Sequence, residues 1–255
     1  MRGFLTLCFS VSLCFSGMAI SQPFITDDGL QQRLYFAIHA PDRPAEDRLR
    51  DFDRKPAEVL AFFGVSRGMT VLDLMAGTGY FTEMLSAAVG TEGQVYSHND
   101  MMALRMRHGA IQKAMDRRLA RNRLPNTRLW IKEITSLELD EEVDMATLIL
   151  NLHDLYIFGG EQQVLKALAS IMLALKPGGI LGIVDHAGIA DYNNNHLHRM
   201  DPRVAADLLV RAGFIIQEWS SLLANFEDNH SLHVFDPEVR GRTDQFIIRA
   251  MKPRY

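Results

Sequence analysis

"VLDLMAGTGYFTEML", residues 71–85, decides how the chain is read. It opens as an apolar run interrupted by one acid, Asp73. Two glycines follow, Gly77 and Gly79, and then apolar residues at Tyr80, Phe81, Met84 and Leu85 with helical spacing. Strand, glycine turn and helix follow one another within fifteen residues. Glycines at that turn allow backbone to approach a ligand closely, and the first turn of the helix offers unpaired N–H groups. In an open parallel sheet, ligands bind at the carboxyl ends of strands where the strand order reverses. The stretch therefore predicts a ligand site over Asp73 to Gly79.

Outward from this stretch, helical and strand patterns alternate. Helices are expected over 56–63, 80–89, 101–122, 161–175 and 203–212. Strands are expected over 69–74, 94–98, 128–134, 143–150, 180–185, 214–220 and 245–251, with "KPGG" (176–179) as a turn. Val143 to Leu150 is almost continuously apolar, as a strand buried on both faces requires. The alternation predicts an α/β fold with a mostly parallel sheet and helices on both faces. No helix separates the last two strands, so one of them should run antiparallel. The long polar connection from Leu223 to Asp244 reads as a lid over the ligand pocket. Residues 22–55 read as an extension of loop and short helix before a domain over 56–255.

Composition is that of an ordinary globular chain: 255 residues, 47% hydrophobic, 23% charged, formal net charge −4. There is no basic excess of the kind nucleic acid requires, so no nucleic-acid partner is expected. Arg117, Arg118, Arg121 and Arg123 read as a solvated helix face. The start of the chain has the pattern of a secretory signal peptide: Arg2, an apolar core from Phe4 to Phe15, and small residues up to Ser21. The expectation is an exported, periplasmic protein beginning near Gln22, with an uncleaved membrane anchor as the alternative. Both cysteines, Cys8 and Cys14, lie in this leader. Its removal leaves no disulfide, thiolate metal site or cysteine nucleophile.

A dinucleotide fingerprint would place a third glycine at Thr82, and an acid at Asp73 would repel a pyrophosphate. The acid suits a ligand with both an ammonium and a carboxylate, and S-adenosylmethionine is such a ligand. The acid–glycine loop, the strand "VDMATLIL" (143–150) and "LKPGGILGIVD" (175–185) together resemble the class I S-adenosylmethionine-dependent methyltransferases, over roughly residues 56–251. More narrowly, "DRLRDFDRKPAEVLAFFGV", "NLHDLY" and "RGRTDQF" look like a bacterial group of methyltransferases that often carry export signals.

The resemblance implies a Rossmann-like sheet of seven strands whose last strand is inserted antiparallel. S-adenosyl-L-methionine is the implied cofactor. The implied cofactor-binding positions are Asp73, Met75, Ala76, Gly77, Gly79 and Tyr80 in the loop; Asn99, Asp100 and Met101 after the second strand; Glu133 and Ile134 after the third; and Asn151 after the fourth. Two positions depart from the pattern. Met75 stands where glycine is preferred, and Asn99 stands where an acid usually grips the ribose hydroxyls. Replacing Asn99 by Asp is expected to tighten cofactor binding. Met101, Met102 and Met106 also have the helical spacing of core residues.

For catalysis, "NLHDLY" places His153, Asp154 and Tyr156 beyond the fourth strand, and "DHA" places His186 beyond the fifth. His153 is the leading candidate for a general base, because imidazole titrates near neutral pH. His196, His198, Arg199, His230 and His233 should ring the same face. No pair has the spacing of a standard metal motif, so no metal is assigned. Arg199 and Arg240 are suited to an anionic substrate, or to ion pairs with Asp201 and Asp244. The expected activity is methyl transfer to a small-molecule acceptor. A non-catalytic cofactor-binding or assembly module of the same fold is the alternative, and a nucleotide-dependent oxidoreductase fits the loop less well.

Overall fold

Val71 to Leu74 lies at the centre of a seven-stranded sheet in the computed structural model, which describes residues 29–190 and 192–254. The strands are β1 (Thr70–Leu74), β2 (Gln94–Asn99), β3 (Thr127–Ile131), β4 (Val143–Ile149), β5 (Leu175–His186), β6 (Ile215–Ser220) and β7 (Gln245–Met251). Their spatial order is β3-β2-β1-β4-β5-β7-β6. β1 to β5 are mutually parallel, and β7 is inserted antiparallel between β5 and β6. This is the expected mostly parallel sheet. The order reverses between β1 and β4, so the crevice at their carboxyl ends is the switch point.

Strand periodicity sorts the core into two layers. Leu72, Leu74, Ala146, Leu148, Leu181 and Ile183 face one layer, together with α7 (Leu152–Ala174) and α9 (Pro202–Arg211). Val71, Met145, Ile149, Ile180 and Val184 face the other, with α1 (Leu30–Ile38), α4 (Pro56–Phe63) and α5 (Tyr80–Val89). α5 begins at Gly79 (φ 83°) and stops at Gly90 (φ 67°), both at backbone angles that side chains resist.

Several elements depart from expectation. The extension is more ordered than a loop: α1, α2 (Ala45–Arg48) and α3 (Asp51–Arg54) follow one another, and Leu30 and Leu34 are buried in the second layer. α6 (Met101–Leu119) is interrupted by non-helical backbone from Met106 to Gly109, and a 3-10 turn over Ala120–Asn122 follows it. β3 ends at Ile131. α7 begins at Leu152 rather than Glu161, with a break at Gly160 (φ 66°) that accounts for the later expected start. "KPGG" does turn, but within β5: Leu175 pairs with Val143 and Ile180 with Met145, so residues 176–179 bulge out of the ladder. The leader lies outside the described residues. Among those described, no helix is long and apolar enough to cross a membrane. α8 (Asn194–Leu197) completes the helices.

Candidate active site

Asp73 is buried at the end of β1 and is held by two hydroxyls, Thr82 Oγ1 at 2.6 Å and Thr147 Oγ1 at 3.1 Å. Burial raises its pKa to about 6, and those two hydrogen bonds oppose the rise. A cavity of about 210 Å³ opens beside it, lined by Met75, Ala76, Gly77, Tyr80 and Asn151 among others. Met75 (φ 49°) and Leu150 (φ 58°) both line this cavity in left-handed backbone. Strain of this sort tends to collect at functional sites. Most loop N–H groups are engaged internally. Met75 donates to His98 Nδ1, Ala76 to the His98 carbonyl, Gly77 to Asn99 Oδ1 and Gly79 to the Ala76 carbonyl. The N–H groups left for a ligand are those of the first turn of α5.

Asn99, expected at the ribose, lines neither this cavity nor the one beside Glu133. Its buried amide closes a two-bond clasp on Gly77, accepting from the N–H at 2.9 Å and donating to the carbonyl at 3.2 Å. It shapes the loop instead of reaching outward. Asp100 caps α6 by accepting from Ala103 N at 2.6 Å, which leaves it a second carboxylate oxygen. Met101 and Glu133 line a second cavity of about 340 Å³, with Ile131 and Lys132. Ile134 does not join them, because its side chain packs into the core. Met101, Met102 and Met106 are exposed, which corrects their reading as core; Leu104 is the buried residue of this first part of α6, and the non-helical backbone from Met106 to Gly109 ends the helical spacing there.

Over the first cavity stand two residues that sequence reasoning missed, Arg50 and Arg54. Both guanidinium groups sit on the Tyr80 ring, 4.9 and 4.7 Å from its centroid, and the Tyr80 hydroxyl donates to Asp51 at 2.7 Å. Burial and the neighbouring Arg50 charge lower the Arg54 pKa to about 10, so it stays cationic at neutral pH. Among the described residues Arg54 makes no ion pair. The dense charge of "DRLRDFDR" was the available signal. Arg118 is the second surprise. It is buried instead of solvated, donates to the Thr78 carbonyl at 2.8 Å, and pairs with Asp47 at 2.6 Å and with Glu83. Arg123 extends the network to Glu83 and Asp42, while Arg117 and Arg121 are exposed as expected.

The histidines converge where α7 begins and β5 ends. His153 is buried, its Nδ1 is 2.6 Å from Asp185 Oδ1, and its Nε2 is 3.3 Å from Asp154 Oδ1. Burial alone would lower its pKa, but the Asp185 charge and the hydrogen bonds to both carboxylates raise it to about 10. Both ring nitrogens of His153 thus face carboxylates, and the ring does not line the first cavity. His186 is the opposite case: burial lowers its pKa to about 4, and Nδ1 lies 2.6 Å from Thr243 Oγ1. Asp154 also meets His198 Nδ1 at 3.2 Å. Tyr156 packs its ring against the core, which leaves it outside this cluster. None of His153, Asp154, Tyr156 and His186 lines the first cavity, although Asn151, which lines it, is the residue that opens α7.

The long connection does not roof that cavity either. Arg199, buried, forks onto Asp228 at 2.8 and 3.1 Å and binds the carbonyls of Ala187 and Leu232. His230 binds Asp244 at 2.9 Å, and Val234 N binds the Leu197 carbonyl. Arg199 is thereby committed to structure, with Asp228 rather than Asp201 as its partner, while Arg240 is exposed. The segment lies instead against Phe52 to Lys55, where Leu223, Asn225 and Thr243 help line a separate cavity of about 270 Å³.

Known proteins share this fold. The chain is 27% identical over 191 residues to the ubiquinone/menaquinone biosynthesis C-methyltransferase UbiE of Idiomarina loihiensis, across 74% of this chain and 66% of that one. It therefore spans just under two thirds of that relative's length. A SAM-dependent methyltransferase from Aquifex aeolicus has the same fold, with TM-score 0.60 and 24% identity over 84% of this chain and 96% of the other. So does the [4+2]-cyclase SpnF, with TM-score 0.53 and 19% identity over 88% and 93%. The model of the ubiE/COQ5 methyltransferase family matches residues 51–198, from Asp51 beneath Tyr80 to His198 beside Asp154. That match covers more than half of the chain, which belongs to the ubiE/COQ5 methyltransferase family, a family of S-adenosylmethionine-dependent enzymes.

Proposed function

We propose that the protein transfers a methyl group from S-adenosylmethionine to a small-molecule acceptor at the carboxyl ends of β1, β4 and β5. The observation that carries this is the first cavity, where Arg54, which has no ion pair among the described residues, sits on Tyr80 at the start of α5 beside the Asp73–Gly79 loop. Its groups fit the two charges of an amino-acid end: cations and helix N–H groups for a carboxylate, Asp73 and the Asn151 side chain for an ammonium. The second cavity, with Glu133 and Met101, fits an adenine, whose amino group is a donor and whose face is apolar. The cofactor supplies an electrophilic methyl carbon on a sulfonium. This chain's residues hold and orient it, and Arg50, Arg54 and Tyr80 close the cavity from the extension side.

Because neither His153 nor His186 lines the first cavity, the acceptor on this reading is one that is already nucleophilic. The curated relative is named for C-methylation, and an electron-rich ring carbon meets that requirement: it takes the methyl group as the sulfonium S–C bond breaks to leave S-adenosylhomocysteine, and the ring proton is then lost to solvent. A second reading, cofactor binding without methyl transfer, draws support from the cyclase that shares the fold. The two separate on incubation with methyl-labelled S-adenosylmethionine and phenolic or quinol acceptors. Label in the acceptor supports transfer; tight binding with no label in any acceptor supports the second reading. Export belongs to the proposal as well. The leader pattern supports a mature chain starting near Gln22 in the periplasm, and cell fractionation that finds only full-length protein in the cytosol removes it.

A further inference from the structure

We infer that His153, Asp154 and His198 form a binding site for one divalent transition-metal ion of the zinc class. The three residues come from the first turn of α7 and the end of α8, and they meet at the end of β5. Asp154 Oδ1 is 3.3 Å from His153 Nε2 and 3.2 Å from His198 Nδ1, and the three ligand atoms all lie within 4.8 Å of one another. Around an ion held at ~2.1 Å by each ligand, neighbouring ligand atoms of a tetrahedral shell stand about 3.4 Å apart. The two nearer separations already match that spacing.

Asp185 supplies what a ligating histidine ordinarily has behind it. Its fully buried carboxylate accepts from His153 Nδ1 at 2.6 Å and from the His153 and His186 backbone N–H groups, each at 2.7 Å. With Nδ1 fixed as the donor to Asp185, an ion that displaces the proton of Nε2 meets that nitrogen on the side of Asp154. This carboxylate–imidazole–ion order orients metal-bound histidines generally. His198 is held at φ 53°, a strained conformation of the sort found at binding sites. Asp154 and His198 are half-buried, so the site opens to solvent on one side. There His233 lies 4.8 Å from the His198 ring, with Phe158 and Phe235 beyond it. Three protein ligands and one open position are the pattern of zinc sites that admit a water or a substrate oxygen. The ligands lie one and forty-four residues apart in sequence, which explains why no spacing motif reveals them.

The inference does not depend on methyl transfer, because its readout is binding of the metal alone. Full-length protein stripped with a chelator is titrated with Zn²⁺ by calorimetry, and with Co²⁺ by visible absorbance. The expected result is one ion per chain and a Co²⁺ spectrum showing nitrogen and oxygen ligands at low coordination number. Asp154→Asn and His198→Gln should each weaken binding at least tenfold, and Asp185→Asn about 10–100-fold. His39→Gln, on an exposed site at the end of α1, should leave it unchanged. The partly exposed positions of Asp154 and His198 keep those variants foldable, which circular dichroism verifies. No binding at micromolar free Zn²⁺, or equal binding by wild type and the Asp154→Asn/His198→Gln double variant, overturns the inference.

Discussion

Asp73 sits 2% exposed between two threonine hydroxyls, and its buried charge has a consequence for stability. Its folded pKa of about 6 lies above the unfolded value of 3.8, so the folded state binds the proton more tightly. Stability from this group is therefore present below the unfolded value and is lost as pH rises through about 6. Asp73→Asn should be more stable than wild type at pH 7 by up to about 3 kcal/mol, with the advantage vanishing near pH 4, in urea unfolding across that range. The same variant should bind S-adenosylhomocysteine more weakly, since it loses the acid beside the cavity. Asn99 gives a sharper residue-scale test, because sequence and structure disagree about it. By type alone, Asn99→Asp restores an acid at the end of β2. The clasp on Gly77 dictates the reverse: a carboxylate there repels the Gly77 carbonyl, which costs about 1–3 kcal/mol and should weaken the ligand about tenfold in calorimetry. Asp73 and the glycines were legible because their types report backbone and charge. The partner of Asn99 was not, since an amide can turn either way and only the loop's path decides.

At the scale of elements, all seven strands were located: β1, β4 and β7 are buried on both faces and have few other ways to be written, while the exposed edge strands β3 and β6 were marked by short runs of β-branched and aromatic residues. Helix ends were harder. Gly160 reads as a stop before Glu161, yet the chain is helical on both sides of it, so "NLHDLY" forms the first turns of α7 rather than a loop. The largest miss was Arg118. Four arginines on a helix look solvated, but the turn of α6 puts this one beneath the glycine loop, paired with Asp47 of α2 and Glu83 of α5. Gly79 records that closeness: a Cβ there would sit 2.9 Å from the Arg118 and Met115 side chains. Arg118→Met should destabilise the fold by about 3 kcal/mol, because it strips a partner from two buried carboxylates. Ligand affinity should fall as well, since the Thr78 carbonyl loses its anchor. Thermal unfolding with and without S-adenosylhomocysteine measures both effects; an unchanged melting temperature would show the network to be dispensable.

For the whole molecule, the extension is part of the domain that holds the ligand. Leu30 and Leu34 are buried on α5, and Asp47, Asp51, Arg50 and Arg54 reach the loop and Tyr80. A chain beginning at Pro56 should therefore have a lower melting temperature than one beginning at Gln22, or fail to stay soluble, and should not bind the ligand. Equal stability of the two would make residues 22–55 an accessory.

Whether the β1–β4 switch point holds S-adenosylmethionine is decided by calorimetric titration with S-adenosylhomocysteine. One site per chain is expected. Gly77→Val should abolish binding while the circular dichroism spectrum is kept, because Gly77 sits at φ 57° with open space where a side chain would intrude on the ligand. Arg54→Met should weaken binding without abolishing it. No heat from wild type at millimolar ligand, or undiminished binding by Gly77→Val, would rule out a cofactor site at this loop.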